Sequence, residues 1–354
     1  MSNHVLPCII NQLKIKIMMN VDLLKELYTI FSPSGDTKKM RSFLKRAIKA
    51  RGGDVVQDKK GNLLVTKGKA DTYPCLAAHI DQVRNHTHPK DFQVLQVDNI
   101  LMGWSTKLKQ QCGLGADDKN GVFICLNALE KYDNIKIAFF VDEEIGCCGS
   151  SAVDMSFFDD CRFVIEPDRR DGYDFISCMS GVEVCSDDFI KASGFENFGY
   201  KFDEGSVTDV LTLLERGLKI SCLNLSCGYY HPHTDQEVTD IDELENCQNL
   251  VFHMIETMTD VYPFEYNDGW GSKNKGYIYG YDSGYNIMDD IVANNPELTF
   301  EDIMEFKDEF LNKDEKYLRE LYEDVRVWYP EEPDEDKEDV GDNKSLIDWR
   351  LFND

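Results

Sequence analysis

Apolar and polar positions alternate along residues 21–50 with the spacing of two amphipathic helices. The first is VDLLKELYTIF at 21–31, and the second is TKKMRSFLKRAIKA at 37–50. The intervening SPSG contains the proline and glycine that end a helix, and Asp36 or Thr37 is expected to cap the second one. The chain therefore begins its folded part with a helical pair.

The pattern then changes to the spacing of strands. DVVQDKKGNLLVTKG at 54–68 predicts a hairpin that turns at KKGN. PCLAAHI at 74–80 is a short apolar run, typical of a central strand that is covered on both faces.

From there helices and strands alternate. Predicted helices lie at 121–132, 207–217 and about 239–262, and predicted strands lie at 135–141, 162–166, 174–179 and 219–225. This order predicts an α/β fold with a mixed, mostly parallel central sheet that is sandwiched by helices. Such sheets bind ligands beyond the strand ends.

The composition divides the chain into three parts: an N-terminal extension at 1–20, the α/β domain at 21–265 and an acidic appendage at 266–354. The appendage contains runs such as PEEPDEDKEDVGDN, which are usually solvated. It also contains one predicted amphipathic helix, which Thr299 can cap. Its apolar positions are Ile303, Phe310, Tyr317, Leu321 and Val325.

The net charge of the chain limits the classes of partner that it is expected to bind. The 354 residues contain 38 Lys and Arg against 65 Asp and Glu, a formal charge of −27, which opposes binding to phosphate backbones and anionic lipids. No apolar run approaches a membrane span, and the first 20 residues lack a signal-peptide cleavage region. Twelve cysteines without a CxxC pair indicate reduced thiols. We expect a cytoplasmic protein that binds neither nucleic acid nor membrane.

Five short motifs combine imidazole and carboxylate groups near predicted strand ends. In AAHIDQV, a buried strand ends at His79, and Asp81 follows two residues later. A carboxylate there can fix the tautomer of a metal-binding imidazole, although a histidine at a strand end is more often structural or solvated. GLGADDKNGV places Asp117 and Asp118 together, and they repel each other unless a cation or a helix N-terminus compensates them. An ordinary turn and helix cap explains that pair equally well.

The third motif, IAFFVDEEIGCCGS, runs an apolar strand directly into Asp142, Glu143 and Glu144. Packing does not explain three consecutive acids at the mouth of a buried strand, because their desolvation is costly without metal or hydrogen-bond partners. This motif favours a functional role.

The last two motifs complete the set. FVIEPDRRDG carries Glu166 and Asp168, and CGYYHPHTDQE carries His231 and His233. Taken singly, each is explained equally well as a loop of solvated charges. Together, two imidazoles and three carboxylates at successive strand ends could hold two divalent cations, as catalytic zinc sites do.

In this order, the motifs resemble those of the zinc exopeptidase superfamily, which includes bacterial leucyl aminopeptidases, glutamyl aminopeptidases, peptidase T and carboxypeptidase G. The resemblance covers residues 21–262 and includes LLKELYTIFSPSG and the hairpin that follows. It implies a metallopeptidase that cleaves peptide bonds, most specifically an aminopeptidase for short peptides. It also implies two divalent cations, zinc first and manganese or cobalt as alternatives.

The resemblance also implies roles for individual residues. His79 would bind the first metal and Asp81 would orient it. Asp117 would bridge both metals, with a cis bond to Asp118. Glu143 would be the general base.

The remaining ligands follow in the same way. Glu144 and His233 would bind the second metal, and Glu237 follows that histidine four residues later, as an acid does in the family. Asp168 would complete the first site. Glu166 competes with Asp168 and His231 competes with His233. The RRDG that follows favours Asp168.

Spacing selects a branch of the superfamily. Only 38 positions separate His79 from Asp117, and 65 separate Asp168 from His233. The chain therefore resembles the branch without a lid insertion, although its N-terminal motifs are closer to the lidded peptidases.

Several alternatives stay open. The same metal centre would serve a deacylase of small N-acylated amino acids. A third hypothesis is an inactive scaffold whose appendage binds other proteins. A homo-oligomer is possible. Ser206, Thr208 and Asp209 are candidates for lining the substrate pocket. His86 and His88 could form another metal site, but a surface loop is the simpler interpretation.

Overall fold

A computed structural model describes residues 20–84, 86–267, 299–304 and 315–326. Contacts divide the chain into two compact units, residues 1–280 and residues 281–354. The predicted extension at 1–20 lies outside the described residues except for its last position.

The first unit is built on a nine-stranded sheet with the order β1-β2-β7-β3-β8-β12-β9-β10, and β11 pairs with β9. Its strands are β1 (Asp54–Gln57), β2 (Leu63–Lys67), β3 (Tyr73–His79), β7 (Ile135–Phe140), β8 (Cys161–Arg169), β9 (Asp174–Met179), β10 (Val182–Glu183), β11 (Lys201–Gly205) and β12 (Cys222–Ser226).

The centre of this sheet is parallel. Strands β7, β3, β8 and β12 run in one direction, while β1 and β2 form an antiparallel hairpin on one side and β9 runs antiparallel to β12 on the other. Every residue of β3 and β7 is buried, as expected for apolar strands that are covered on both faces. The predicted mixed sheet is confirmed.

Helices cover both faces of the sheet. They are α1 (Val21–Tyr28), α2 (Lys38–Ala50), α3 (Ala116–Lys131), α4 (Asp187–Ser193), α5 (Asp209–Glu215) and α6 (Ile241–Thr257). Side chains such as Leu44, Phe123 and Leu250 form one buried apolar core with α1, α2, α3, α4 and α6. A second core forms around α5, with Leu214 and Phe158.

A second, five-stranded sheet was not predicted. It has the order β13-β14-β5-β4, with β6 paired to β5. Its strands are β4 (Phe92–Val97), β5 (Ile100–Ser105), β6 (Gln110–Cys112), β13 (Tyr229–Tyr230) and β14 (Val238–Asp240). β14 pairs with β5 across more than a hundred residues of sequence, and no local pattern reports such a pairing.

The last helix was predicted at about 239–262, and it is present but shorter, at Ile241–Thr257. Thr239 pairs with Leu101 in the second sheet. The Asp240 carboxylate accepts the backbone N–H groups of Asp242, at 2.9 Å, and of Glu243, at 3.2 Å. This cap begins α6 at Ile241.

The described part of the second unit contains two helices, Phe300–Ile303 and Glu315–Arg326. They include four of the five positions predicted for the amphipathic helix, and Phe310 lies outside the described residues. Arg319 bonds to Glu301 at 3.1 Å. Across the described part of the chain, no helix has both the length and the apolar character needed to cross a bilayer.

Candidate metal centre

The parallel strands bring three of the five motifs to one edge of the sheet. His79 is the last residue of β3, Asp168 lies near the end of β8, and Glu143 and Glu144 follow the end of β7. Because β7, β3 and β8 are neighbours that run in the same direction, their carboxyl ends meet.

A first group of ligand atoms surrounds His79. Its Nε2 lies 2.8 Å from Asp117 Oδ1 and 3.5 Å from Asp168 Oδ1. All three residues are buried, and Asp168 Oδ1 accepts no hydrogen bond from the described residues.

A second group surrounds His233. Its Nε2 lies 2.9 Å from Glu144 Oε2 and 3.2 Å from Asp117 Oδ2. Within each group the ligand atoms lie within 4.8 Å of one another. The two groups share Asp117, which presents one carboxylate oxygen to each.

Glu143 lies beside the first group without belonging to it. Its Oε2 is 4.0 Å from His79 Nε2, and its Oε1 is 3.5 Å from the Cys147 thiol, which donates to it. Burial raises the pKa of Glu143 well above its usual range; His79 opposes this shift, and the neighbouring carboxylates of Asp168 and Glu144 add to it.

Asp81 accepts hydrogen bonds from two segments that lie next to the site. Its Oδ1 accepts the Glu143 N–H at 3.0 Å, and its Oδ2 accepts the Ser34 hydroxyl at 2.8 Å. His79 Nδ1 lies 3.1 Å from the backbone oxygen of Asp81 and 3.6 Å from its carboxylate. The carboxylate therefore positions the segment that carries Glu143, whereas the hydrogen-bond partner of the imidazole Nδ1 is the backbone oxygen of Asp81.

Asp117 lies in the first turn of α3. The Asp117–Asp118 peptide bond is cis, as the resemblance implies, and both residues have backbone angles outside the helical range. Asp118 is buried, and its Oδ1 accepts the Gly121 N–H at 2.9 Å. A Cβ atom on Gly121 would lie 2.5 Å from that oxygen, so glycine is needed for this close approach.

Neither of the two competing residues, Glu166 and His231, belongs to a ligand group among the described residues. Glu166 is fully buried, and its Oε2 accepts the Val210 N–H at 3.3 Å. Burial raises its pKa to about 7. His231 is exposed and belongs to neither ligand group among the described residues. The geometry thus favours Asp168 and His233 as ligands.

The candidates for the substrate pocket differ in exposure. Ser206 is exposed and Thr208 is buried. Asp209 is also fully buried, and its Oδ1 accepts the Ser150 hydroxyl at 2.5 Å. An open pocket therefore cannot be lined by Asp209 in this conformation.

The segment with His86 and His88 forms no metal group within the described part of the chain. The interpretation as a surface loop is wrong for His86, which is only 6% exposed and lies 3.1 Å from the Gln82 amide. The His88 ring stacks on that of Phe31 and is tilted against that of Phe92, with centroid distances of 4.6 Å to each.

Sequence reasoning missed two buried groups beside the site. Lys119 donates to Gln82 Oε1 at 2.5 Å, and burial lowers its pKa to about 7. Glu237, noted only for its spacing after His233, accepts the Asp117 N–H at 3.0 Å and also the Gly115 N–H. The sequence signal for Lys119 was its place directly after the aspartate pair in GADDKNG.

The chemistry of the site fits two divalent cations. Two imidazoles and three carboxylates, with no thiolate, form a donor set typical of a catalytic zinc site, which manganese or cobalt can also use. Burial raises the pKa of Glu144 and Asp168, and buried carboxylates held this close together need positive compensation. Although burial lowers it, the pKa of His233 rises to about 11 because Asp117 and Glu144 attract its proton.

The sequence matches no protein-family model and no curated protein sequence. Solved structures do match the fold. Aminopeptidase PepT from Bacillus cereus ATCC 10987 is 15% identical with a TM-score of 0.55, and the match covers 68% of this chain and 98% of that one.

Two further structures have similar scores. A tripeptidase from Staphylococcus aureus subsp. aureus Mu50 is 15% identical with a TM-score of 0.54, over 67% of this chain and 96% of that one. Aminopeptidase APDkam598 from the archaeon Desulfurococcus kamchatkensis is 15% identical with a TM-score of 0.54, over 73% of this chain and 98% of that one.

Proposed function

We propose that this chain, which has the fold of the zinc exopeptidase superfamily, is a two-cation hydrolase that cleaves peptide bonds. We further propose that it is an aminopeptidase for short peptides. The observation that carries the proposal is the shared Asp117, whose Oδ1 faces His79 and whose Oδ2 faces His233. A carboxylate placed between two ligand groups is what a bridged pair of cations requires.

Each proposed cation has three protein ligands. His79, Asp117 and Asp168 would hold the first, and Asp117, Glu144 and His233 would hold the second. When bound, zinc, or manganese or cobalt in its place, would polarise the scissile carbonyl and lower the pKa of water.

Glu143 is the proposed general base. Its carboxylate accepts a proton from the attacking water as the water oxygen bonds to the scissile carbonyl carbon. It then delivers that proton to the amine nitrogen as the carbon–nitrogen bond breaks. A carboxylate with a raised pKa is suited to both transfers, and Asp81 fixes its position through the Glu143 N–H.

The substrate class is proposed from the matched structures and from charge. Those structures are named as aminopeptidases and a tripeptidase. An acidic protein, with a formal charge of −27, also suits the positive α-amine of a peptide.

Metal analysis combined with a substrate panel tests this function. Protein purified without chelator is expected to bind two zinc equivalents and to cleave aminoacyl anilides and dipeptides, with loss of cleavage after chelation. Cleavage confined to N-acetyl amino acids would identify a deacylase instead. Failure to bind any divalent metal would favour an inactive scaffold and refute the hydrolase.

A further inference from the structure

His233 differs from the other proposed ligands in its surroundings. Its side chain is 49% exposed, whereas those of Asp117 and Glu144 are 11% and 5% exposed. It lies in the loop between β13 and β14, and its φ of +63° is uncommon for a residue other than glycine. Packing around the ring therefore contributes little to its position.

Asp235 connects this loop to two other segments of the chain by hydrogen bonds. Its Oδ1 accepts the N–H of Thr87 at 2.8 Å and the N–H of Gly113 at 2.9 Å. Its Oδ2 accepts the Thr87 hydroxyl at 2.5 Å. One carboxylate thus joins the His233 loop to the segment after β3 and to the segment before α3.

Glu237 makes a second hydrogen-bonded connection, and its side chain is more deeply buried than that of Asp235. The side chain is fully buried and accepts the N–H groups of Gly115 and Asp117, the latter at 3.0 Å. These bonds connect the His233 loop directly to the residue that both ligand groups share. His86 Nε2 lies 3.8 Å from the same carboxylate.

We propose that Asp235 and Glu237, here called the carboxylate clamp, are positioning residues that hold His233 at the second cation site. The clamp fixes both ends of the 3.2 Å contact between His233 Nε2 and Asp117 Oδ2. The inference rests on the proposed two-cation function and assigns to that function the residues that set occupancy of its second site.

The clamp acts unequally on the two sites. His79 and Asp168 are held by the buried strands β3 and β8, which Asp235 does not contact among the described residues. Glu237 does contact Asp117, which serves both sites. Loss of Asp235 is therefore expected to weaken the second cation and to spare the first.

The test is a titration of the metal-free full-length chain with Zn²⁺, in which calorimetry measures the affinity for each equivalent. In Asp235→Ala the affinity for the second equivalent is expected to fall about tenfold or more, the usual size of effect for a group that orients a ligand, with the first equivalent unchanged. Asp235→Asn is expected to restore it, because one amide oxygen can still accept both N–H groups. Glu237→Gln is expected to weaken binding of the second equivalent, because each carboxylate oxygen accepts a different N–H and an amide nitrogen cannot.

Asp91→Ala is the matched control. Asp91 also accepts a backbone N–H, from Lys107 at 2.8 Å, and a hydroxyl, from Thr106 at 2.9 Å, but it contacts no residue of the His233 loop in the described structure. Both equivalents should bind this variant as they bind wild type.

The outcomes separate the clamp from the function it rests on. Wild-type chain that takes up no zinc would overturn the proposed function. Wild-type chain that binds two equivalents, with the second retained at full affinity in Asp235→Ala, would overturn the clamp alone. Should Asp235→Ala fail to fold, retention of the second equivalent in Glu237→Gln overturns it in the same way.

Discussion

Asp117 has the most constrained environment of the proposed ligands. Its two oxygens contact His79 and His233, its N–H donates to Glu237, and a cis peptide bond follows it. Since each oxygen belongs to a different ligand group, neither group is complete without this side chain. We therefore expect this residue to couple occupancy of the two proposed cation sites.

Glu143 permits a test of catalysis apart from metal binding, because it lies beside the ligand groups and belongs to neither. Glu143→Gln preserves size but removes the basic oxygen. Turnover is expected to fall roughly a hundredfold or more, with zinc content unchanged. Peptide hydrolysis and metal analysis on the same preparation measure both quantities.

Glu130→Gln provides the control for that variant. Glu130 lies in α3, and its side chain is 68% exposed in a contact with Arg51. The substitution removes one carboxylate of the same helix-and-sheet unit without touching the site. Full turnover in Glu143→Gln, equal to that of the control, would remove Glu143 from the mechanism.

The sequence indicated the proposed site residues more clearly than the groups that hold them in place. His79, Glu143 and Glu144 could be found because apolar strands run directly into them. Glu237 and Asp235 are separated by more than a hundred positions from most of the backbone groups that they bind. A single sequence contains no periodicity that reports such contacts.

Asn62 fixes the segment that leaves β7. It is buried at the end of the β1–β2 turn, where its Oδ1 accepts the Val141 N–H at 3.1 Å and its Nδ2 donates to the Gly149 carbonyl at 2.9 Å. Val141 lies two residues before Glu143. The N-terminal hairpin thus positions the element that supplies the proposed base.

Asn62→Ala would leave the buried Val141 N–H without its partner, while the Gly149 carbonyl would keep only the Ala152 N–H, at 3.1 Å. The free energy of unfolding of the metal-free chain is expected to fall by about 1–3 kcal/mol, the usual cost of unpaired buried polar groups. Urea denaturation in the presence of chelator measures the change.

Gln57→Ala is the companion substitution for this measurement. Gln57 is an exposed residue of the same hairpin and accepts one hydrogen bond from Lys45, at 2.7 Å. Its replacement should change the unfolding free energy by no more than about 0.5 kcal/mol. A loss in Asn62→Ala that is no larger than this would contradict the anchoring role.

The central strands β3 and β7 of the main sheet were predictable because burial on both faces produces continuous apolar runs, whereas β10 and β11 were not predicted. The second sheet was not predicted, since β4 is partly exposed and β6, β13 and β14 are only two or three residues long. Their pairing is set by tertiary contacts, which override local pattern.

At the scale of the whole molecule, the proposed centre gathers side chains that span residues 79–233 of the chain. The fold makes this possible by aligning the ends of β3, β7 and β8 and then closing the site with the His233 loop. The chain has a formal charge of −27, and the carboxylates that are buried together at this centre require positive charge close to them. Two divalent cations would supply it.

The most direct test is a crystal structure of the chain grown with zinc, with anomalous difference maps recorded at the zinc edge. We predict two peaks, about 3.5–4 Å apart, one contacting His79, Asp117 and Asp168 and the other contacting Asp117, Glu144 and His233. A map with no peak at this edge of the sheet, or with a single peak that Asp117 does not contact, would contradict the two-cation centre.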